Sequence, residues 1–319
     1  MKKLWCCGLA ALLWQSVAQA QDVPQVMTSF SILHSVTADL AGQNHVNVNT
    51  LIGRNQNSHG HQLRASDVQN LQNSQLIVFN GLGFESAALQ RAAKNTQVPI
   101  VEAAAGLDGL LQADAEHEHH DHAHETEAEH AAHAHEHQHE SISANHTGLD
   151  PHVWLDPLKM PAYTRNITQA LIKQQPENSL YYGLRWQMYQ LKLAGLHGEN
   201  AYQLASIPVA KRKVLTSHAA FGYMGQRYQI EFFAPVGGGH EAEASAKTLV
   251  DLIRQVKTQH IQAVFVENIA DERLLKQLTQ ETGLSIQGTL YSDALADDAP
   301  DYFALYRHNV KVLRQALQS

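Results

Sequence analysis

AVFVENIADERLLKQLTQETGLSIQGTL, residues 263–290, opens on five largely apolar positions, runs through helical spacing from Asp271 to Thr282, and closes on a second strand-like run, IQGTL. Short apolar runs of about four to eight residues, separated by one amphipathic segment, read as a strand–helix–strand unit. Such units place their strands side by side and parallel. The same alternation recurs upstream. KVLTS (213–217) and EFFAPV (231–236) read as strands, with a helix from Ser245 to Gln259 whose apolar Leu249, Leu252, Ile253 and Val256 lie on one side. A last helix follows from Pro300 to Gln318.

The amino-terminal half repeats the pattern. VMTSF (26–30), VNVNTLI (46–52), LIVFN (76–80) and PIVEA (99–103) read as short buried strands, with helices expected over Ser31–Ala41, Ser66–Asn73 and Glu85–Asn95. Between the two halves the strands stop. Asp156–Gln174 and then Pro176 to about Ala205 read as helices, the second with Leu180, Leu184, Met188 and Leu191 three to four residues apart. The fold class that follows is α/β: two lobes, each with a mostly parallel four-stranded sheet flanked by helices, joined by a long backbone helix. The expected boundaries are 21–175 for the first lobe, 176–205 for the connecting helix and 206–319 for the second lobe.

MKKLWCCGLAALLWQSVAQA, residues 1–20, has a basic start, a short apolar run and Ala18-Gln19-Ala20, the pattern of a cleaved secretory signal peptide. Its apolar run falls short of the roughly 20 residues that a membrane helix needs. Cys6 and Cys7, the chain's two cysteines, lie inside it and come too early to carry a lipid. The exported chain would then offer only His, Asp and Glu as strong metal ligands, in an oxidising compartment. Loss of Lys2 and Lys3 leaves 21 basic against 31 acidic residues, a formal charge of about −10. That balance argues against nucleic acid as a partner.

HEHHDHAHETEAEHAAHAHEHQH, residues 117–139, concentrates ten of the chain's 21 histidines. The surrounding stretch, 112–147, has no periodic apolar positions and cannot bury enough surface to offset the entropy of ordering, so a disordered, mobile insertion is expected. Neutral imidazoles there can collect divalent metal, but each ion would have to organise the tract that binds it. His135-Glu136-His137-Gln138-His139 formally matches the H-E-x-x-H protease signature. That signature needs a stable helix, and a histidine at nearly every second position produces such matches by chance.

The informative residues are dispersed. His59 follows the second strand in GRNQNSHGHQLRASD, and His152 lies in LDPHVWLDP where the insertion re-enters the fold. His218 ends the strand in VLTSHAAFGY, and Asp293 follows the last strand in GTLYSDAL. Ligands collect beyond the carboxyl ends of parallel strands, where side chains from several loops converge. Two candidates come from each lobe, which puts the expected metal in the cleft between lobes. Three imidazoles and a carboxylate fill the four-coordinate shell of Zn²⁺, and a filled shell leaves no place for the bound water of a hydrolase.

DPHVWLDP, SHAAFGY and YSDAL resemble the cluster A-I periplasmic substrate-binding proteins of zinc and manganese ABC transporters, over essentially the whole exported chain. Phe221-Gly222-Tyr223 after His218, and VFVENIADERL with GTLYSDAL, look like the zinc-binding members. The resemblance implies a rigid two-lobed fold with a long backbone helix, a metal between the lobes, and ligands at His59, His152, His218 and Asp293. Manganese-binding relatives tend to carry Glu where this chain has His218, so the resemblance points to Zn²⁺ ahead of Mn²⁺. Around the first ligand the family commonly reads H-x-[FY]-x-P. Here His59-Gly60-His61-Gln62-Leu63 puts His61 at the aromatic position, and spacing from Asp67 favours His59 while leaving His61 open. Glu267 is open between a hydrogen-bond partner of a ligand and a plain salt bridge. His240 reads as a solvated loop residue, and His34, His45, His197, His260 and His308 as surface or capping residues.

The expectation is a non-enzymatic periplasmic receptor, acting as a monomer, that captures zinc and delivers it to an ABC-type membrane permease, with a periplasmic zinc chaperone as a further partner. A secreted zinc hydrolase and a metal-buffering or surface-interaction protein are the competing classes.

Overall fold

In a computed structural model of the chain, residues 23–113, 148–235, 246–269 and 272–318 are described. The expected signal peptide, the histidine tract beyond Ala113, and His240 lie outside them. Two four-stranded sheets form, and every strand pairing is parallel.

The first sheet has the order β2-β1-β3-β4, from β1 (Gln25–Phe30), β2 (Asn47–Ile52), β3 (Leu76–Phe79) and β4 (Ile100–Glu102). Helices α1 (Ser31–Ala41), α2 (Ala65–Gln72) and α3 (Ala87–Asn95) connect them. β3 is buried at all four positions, as expected of a strand covered on both faces.

The second sheet repeats the order as β6-β5-β7-β8, from β5 (Lys213–Leu215), β6 (Glu231–Phe233), β7 (Ala263–Glu267) and β8 (Ile286–Leu290). Its helices are α6 (Gly222–Tyr228), α7 (Ala246–Gln259) and α8 (Arg273–Thr282). The spine between the sheets is α4 (Met160–Gln174) and α5 (Ser179–Ala205), and α9 (Tyr302–Gln318) closes the chain.

Three details differ from the sequence reading. The connecting helix starts at Ser179, because Pro176–Asn178 forms a separate 3-10 turn. Helix α6 has no counterpart in that reading, because Gly222 and Gly225 are poor helix formers. Both are required by close approach: a Cβ on Gly222 would lie 2.9 Å from Asp150 Oδ2, and one on Gly225 2.6 Å from the Ile230 carbonyl oxygen. Finally, Leu180, Leu184, Met188 and Leu191, whose spacing announces α5, are exposed. Tyr182, Tyr189, Leu193, Leu196 and Leu204 are the side it buries.

A single large core runs through both lobes. It joins Phe30, Leu40 and Trp154 to Tyr182, Leu196, Tyr223, Tyr302 and Tyr306, while smaller clusters sit under α7–α8 and under α2–α3. Arg212, buried between the lobes' elements, caps the end of α5 by donating to the Leu204 and Ile207 carbonyls and also to that of Tyr228. These bonds tie the end of the spine to the start of the second sheet and to the end of α6. At the base of the histidine tract, Gln112 and Leu149 form an antiparallel bridge, with Ala113 N–H to Gly148 O at 2.9 Å and Asp150 N–H to Leu111 O at 2.9 Å. Among the described residues, no helix is long and apolar enough to cross a membrane.

Candidate metal centre

Each candidate side chain stands just beyond a strand or at a rigid turn. His59 lies on the loop between β2 and α2, shaped by Asn57, whose Oδ1 accepts from the His59 and Gly60 N–H groups at 2.9 and 3.2 Å. His152 precedes a 3-10 turn, Val153–Leu155, all of it buried. His218 follows β5, and Asp293 follows β8 and is wholly buried.

The four converge. One ligand atom from each of His59, His152, His218 and Asp293 can be chosen so that all lie within 4.8 Å of one another, and no other such group forms among the described residues. Asp293 is the hub: Oδ2 meets His59 Nε2 at 3.0 Å and His218 Nε2 at 3.2 Å, and Oδ1 faces His152 Nε2 at 3.4 Å. The tetrahedron around a cation with bonds of about 2.0 to 2.1 Å has edges of about 3.3 to 3.4 Å. His152 Nε2 and Asp293 Oδ1 are buried with no hydrogen-bond partner, facing each other without hydrogen-bond alignment. A cation would satisfy both.

Two carboxylates hold the far sides of the rings. Asp150 Oδ1 accepts from His152 Nδ1 at 2.7 Å and from the His152 backbone N–H at 2.9 Å. Glu267 Oε2 lies 2.8 Å from His218 Nδ1, while its Oε1 accepts from the backbone N–H groups of Ser217 and His218. Holding Nδ1 in this way fixes the tautomer, turns Nε2 toward the centre and makes it more basic. The Glu267 alternative left open by the sequence is thus placed: it faces His218. Asp150 has a role that the sequence reading did not give it, although its place two residues before His152 in Asp-Pro-His was the available signal.

Electrostatics divide the three imidazoles. Burial disfavours the charged form of His152, but the Asp293 and Asp150 carboxylates outweigh it and push the pKa up to about 9. His218 is likewise buried, and Glu267 and Asp293 push its pKa well above the usual histidine range. Burial would raise Asp293, yet the two imidazoliums hold it well below the usual carboxylate range. His59 goes the other way: burial lowers its pKa, only partly opposed by Asp293. Without metal, protons on His152 and His218 supply the positive charge that Asp293 needs, and His59 is the imidazole already neutral.

His61 does not join the four. Its Nε2 meets Asp67 Oδ2 at 3.0 Å, and that same oxygen accepts from the Arg64 backbone N–H at 2.8 Å at the start of α2. The pair pins the carboxyl end of the loop that carries His59. On the inner side, Phe84 meets the His59 ring edge-on at a centroid distance of 4.7 Å. Of the other histidines, His34 reaches the Val48 carbonyl oxygen at 3.1 Å and His308 stacks on Tyr291 at 4.1 Å, both outside the centre.

The segment carrying His152 is clamped from the second lobe. Tyr223 Oη donates to Asp150 O at 2.9 Å, and Tyr302 and Tyr306 donate to the Trp154 and Leu155 carbonyls at 2.9 and 2.7 Å. Arg227 meets the buried carboxylate of Asp156 through two nitrogens at 2.8 and 2.7 Å. Fork-to-fork pairing of this kind fixes orientation as well as charge.

Fold and centre together define a class: a two-lobed α/β protein with a His3Asp donor set where the lobes meet. The chain belongs to the family described as zinc-uptake complex component A, periplasmic, whose model matches residues 26–316. It is 26% identical over 302 residues to the high-affinity zinc uptake system protein ZnuA of Bacillus subtilis, covering 93% of this chain and 88% of that one. It is 25% identical over 323 residues to the manganese ABC transporter substrate-binding lipoprotein PsaA of Streptococcus pneumoniae, covering 97% and 94%. The fold matches the periplasmic zinc binding protein TroA of Treponema pallidum with a TM-score of 0.76 at 23% identity, over 93% of this chain and 99% of that one.

Proposed function

We propose that this chain is a high-affinity zinc receptor of the periplasm: it captures Zn²⁺ between its lobes, with His59, His152, His218 and Asp293 as ligands, and delivers it to an ABC-type membrane permease. The observation that carries this reading is the convergence of those four donors, with His152 and His218 each backed by a carboxylate. Relatives named for zinc and for manganese both match, so the choice of metal rests on the donor set. Three imidazoles suit zinc, and the harder Mn²⁺ favours more oxygen.

The ion is cargo. Four protein donors complete a tetrahedral shell and leave no place for a water nucleophile, which supports a carrier over a hydrolase. Export by a cleaved signal peptide would put the receptor where zinc enters, and a periplasmic chaperone would meet the same face of the cleft. One chain supplies all four ligands, so a single copy suffices to hold the ion.

Calorimetry on the exported chain, with and without residues 114–147, tests the proposal. One tight zinc site should persist after deletion and bind Mn²⁺ more weakly. Loss of the tight site on deletion would move the function to the histidine tract, and a preference for Mn²⁺ would defeat the zinc assignment.

A further inference from the structure

The loop that carries His59 is fastened to both lobes. After His59 it is held by the first lobe, through the bond from His61 to Asp67. Before His59 it is held by the second. Arg54 Nη2 donates to the Pro300 carbonyl at 3.1 Å, the Asn55 N–H donates to the Leu295 carbonyl at 2.9 Å, and Asn55 Oδ1 accepts from Asn268 Nδ2 at 3.1 Å. A donor that belongs to the first lobe in sequence is therefore anchored, on its upstream side, to the second.

Asn268 is where this anchorage meets the metal centre. It directly follows Glu267, whose carboxylate faces His218 Nδ1 at 2.8 Å. Its Nδ2 also donates to the carbonyl of Ala294, the residue after Asp293, at 3.2 Å. One half-buried amide thus links the segments that bear His59, Asp293 and the carboxylate behind His218, without being one of the four donors. The task selects the residue type. Two acceptors need two N–H hydrogens on one short side chain, which Asn supplies, whereas Ser offers one and an ionised Asp none. The Ala294 carbonyl can only accept, which fixes the way round of the Asn268 amide.

We propose that Asn268 is a positioning residue of the zinc centre: by tying Asn55 to Ala294 it holds His59 over Asp293 and sets how fast the ion leaves. This rests on the zinc-receptor reading above. His59 Nε2 lies 3.0 Å from Asp293 Oδ2, and freeing the upstream tie leaves the His59 segment held chiefly from its His61 end. Weakened ties around a site that is already formed act mainly on dissociation.

Stopped-flow chelator chase on the zinc-loaded exported chain tests this. Asn268→Ala and Asn55→Gly should each speed zinc dissociation about 3- to 10-fold, the loss of one ordinary hydrogen bond, with association within about twofold of wild type. Asn55 is exposed and has φ 53°, left-handed backbone that Gly adopts freely and Asp tolerates. Asn55→Gly therefore folds without the acceptor, and Asn55→Asp, which keeps it, should dissociate like wild type. In the Asn268→Ala background, Asn55→Gly should add nothing further. A merely structural tie would lower metal-free melting and leave dissociation unmoved. Either single variant dissociating at the wild-type rate overturns the proposal, as does Asn55→Gly speeding dissociation equally in both backgrounds. Absence of a tight zinc site from the wild type would instead defeat the receptor reading.

Discussion

The indole N–H of Trp154 donates to the main-chain carbonyl of Ser292 at 2.8 Å, tying the residue two places after His152 to the residue just before Asp293. Two candidate ligands, about 140 residues apart in sequence, are thereby held in register by one buried bond. Trp154→Phe keeps an aromatic ring against Phe30 and Phe84 but leaves the Ser292 carbonyl without this donor. Stability should fall by about 1 to 3 kcal/mol in denaturant titration, the usual cost of a buried unsatisfied group. Zinc affinity should fall as well, and an unchanged affinity would show that the bond does not set the ligand geometry.

Carboxylates behind the imidazoles should matter nearly as much as ligands. Asp150→Asn and Glu267→Gln preserve shape but remove the charge that orients and polarises His152 and His218. Each should weaken zinc about 10- to 100-fold in competition with a chelator of known affinity. An effect below about threefold would assign Asp150 and Glu267 to folding alone.

Protons and metal compete for this centre. His152 and His218 must each lose a proton to ligate, so zinc binding near neutral pH should release close to two protons, read from calorimetry in buffers of different ionisation enthalpy. Affinity should climb as pH rises through the range in which His152 loses its proton, around 9. Release of none would mean that the imidazoles are already neutral.

The metal-free chain should show the opposite trend. His152 binds more protons folded than unfolded between about pH 6.5 and its folded pKa of about 9. Its stabilisation is whole below about pH 6.5 and fades as pH rises through 9. Asp293, with a depressed pKa, contributes above about pH 3.9 and loses its contribution as the solution is acidified. Thermal melting without metal should therefore peak between weakly acidic and neutral pH, and the gain in Tm on adding zinc should be largest on the alkaline side. A metal-free Tm that keeps rising from pH 7 to 9 would contradict the charge assignment.

His59 and His61 should separate cleanly. His59→Ala removes the one imidazole that needs no deprotonation and should abolish tight binding. His61→Phe breaks only the bond to Asp67 that pins the loop. It should leave equilibrium affinity within about tenfold and speed zinc dissociation in stopped-flow chelator chase. Equal losses from both substitutions would place His61 among the ligands.

Much of this was legible in sequence because it is local. β7, β8 and α1 occupy the residues that the apolar patterning marks; His59, His218 and Asp293 stand where loops leave parallel strands, and His152 stands at the 3-10 turn where the chain re-enters the fold. What stayed hidden depends on distant partners. Helix α6 forms despite two glycines because Asp150 and Ile230, far from it or after it in sequence, press against its backbone. The buried side of α5 could not be told from its exposed side, since leucines lie on both and only α1, α4 and α9 decide which is covered. The tie between Trp154 and Ser292 has no sequence signature at all.

The bridge between Gln112 and Leu149 closes the scaffold before the histidine tract begins, only three residues short of His152. The two stems therefore act as a socket. Peptide of another length or composition can be spliced between Ala113 and Gly148 at a loop-closure cost that grows by only about 0.6 kcal/mol per doubling. A lineage could lengthen, shorten or recode that segment while the residues around the cation stay put, and a fluorophore or reporter domain grafted there would sit within a few residues of His152.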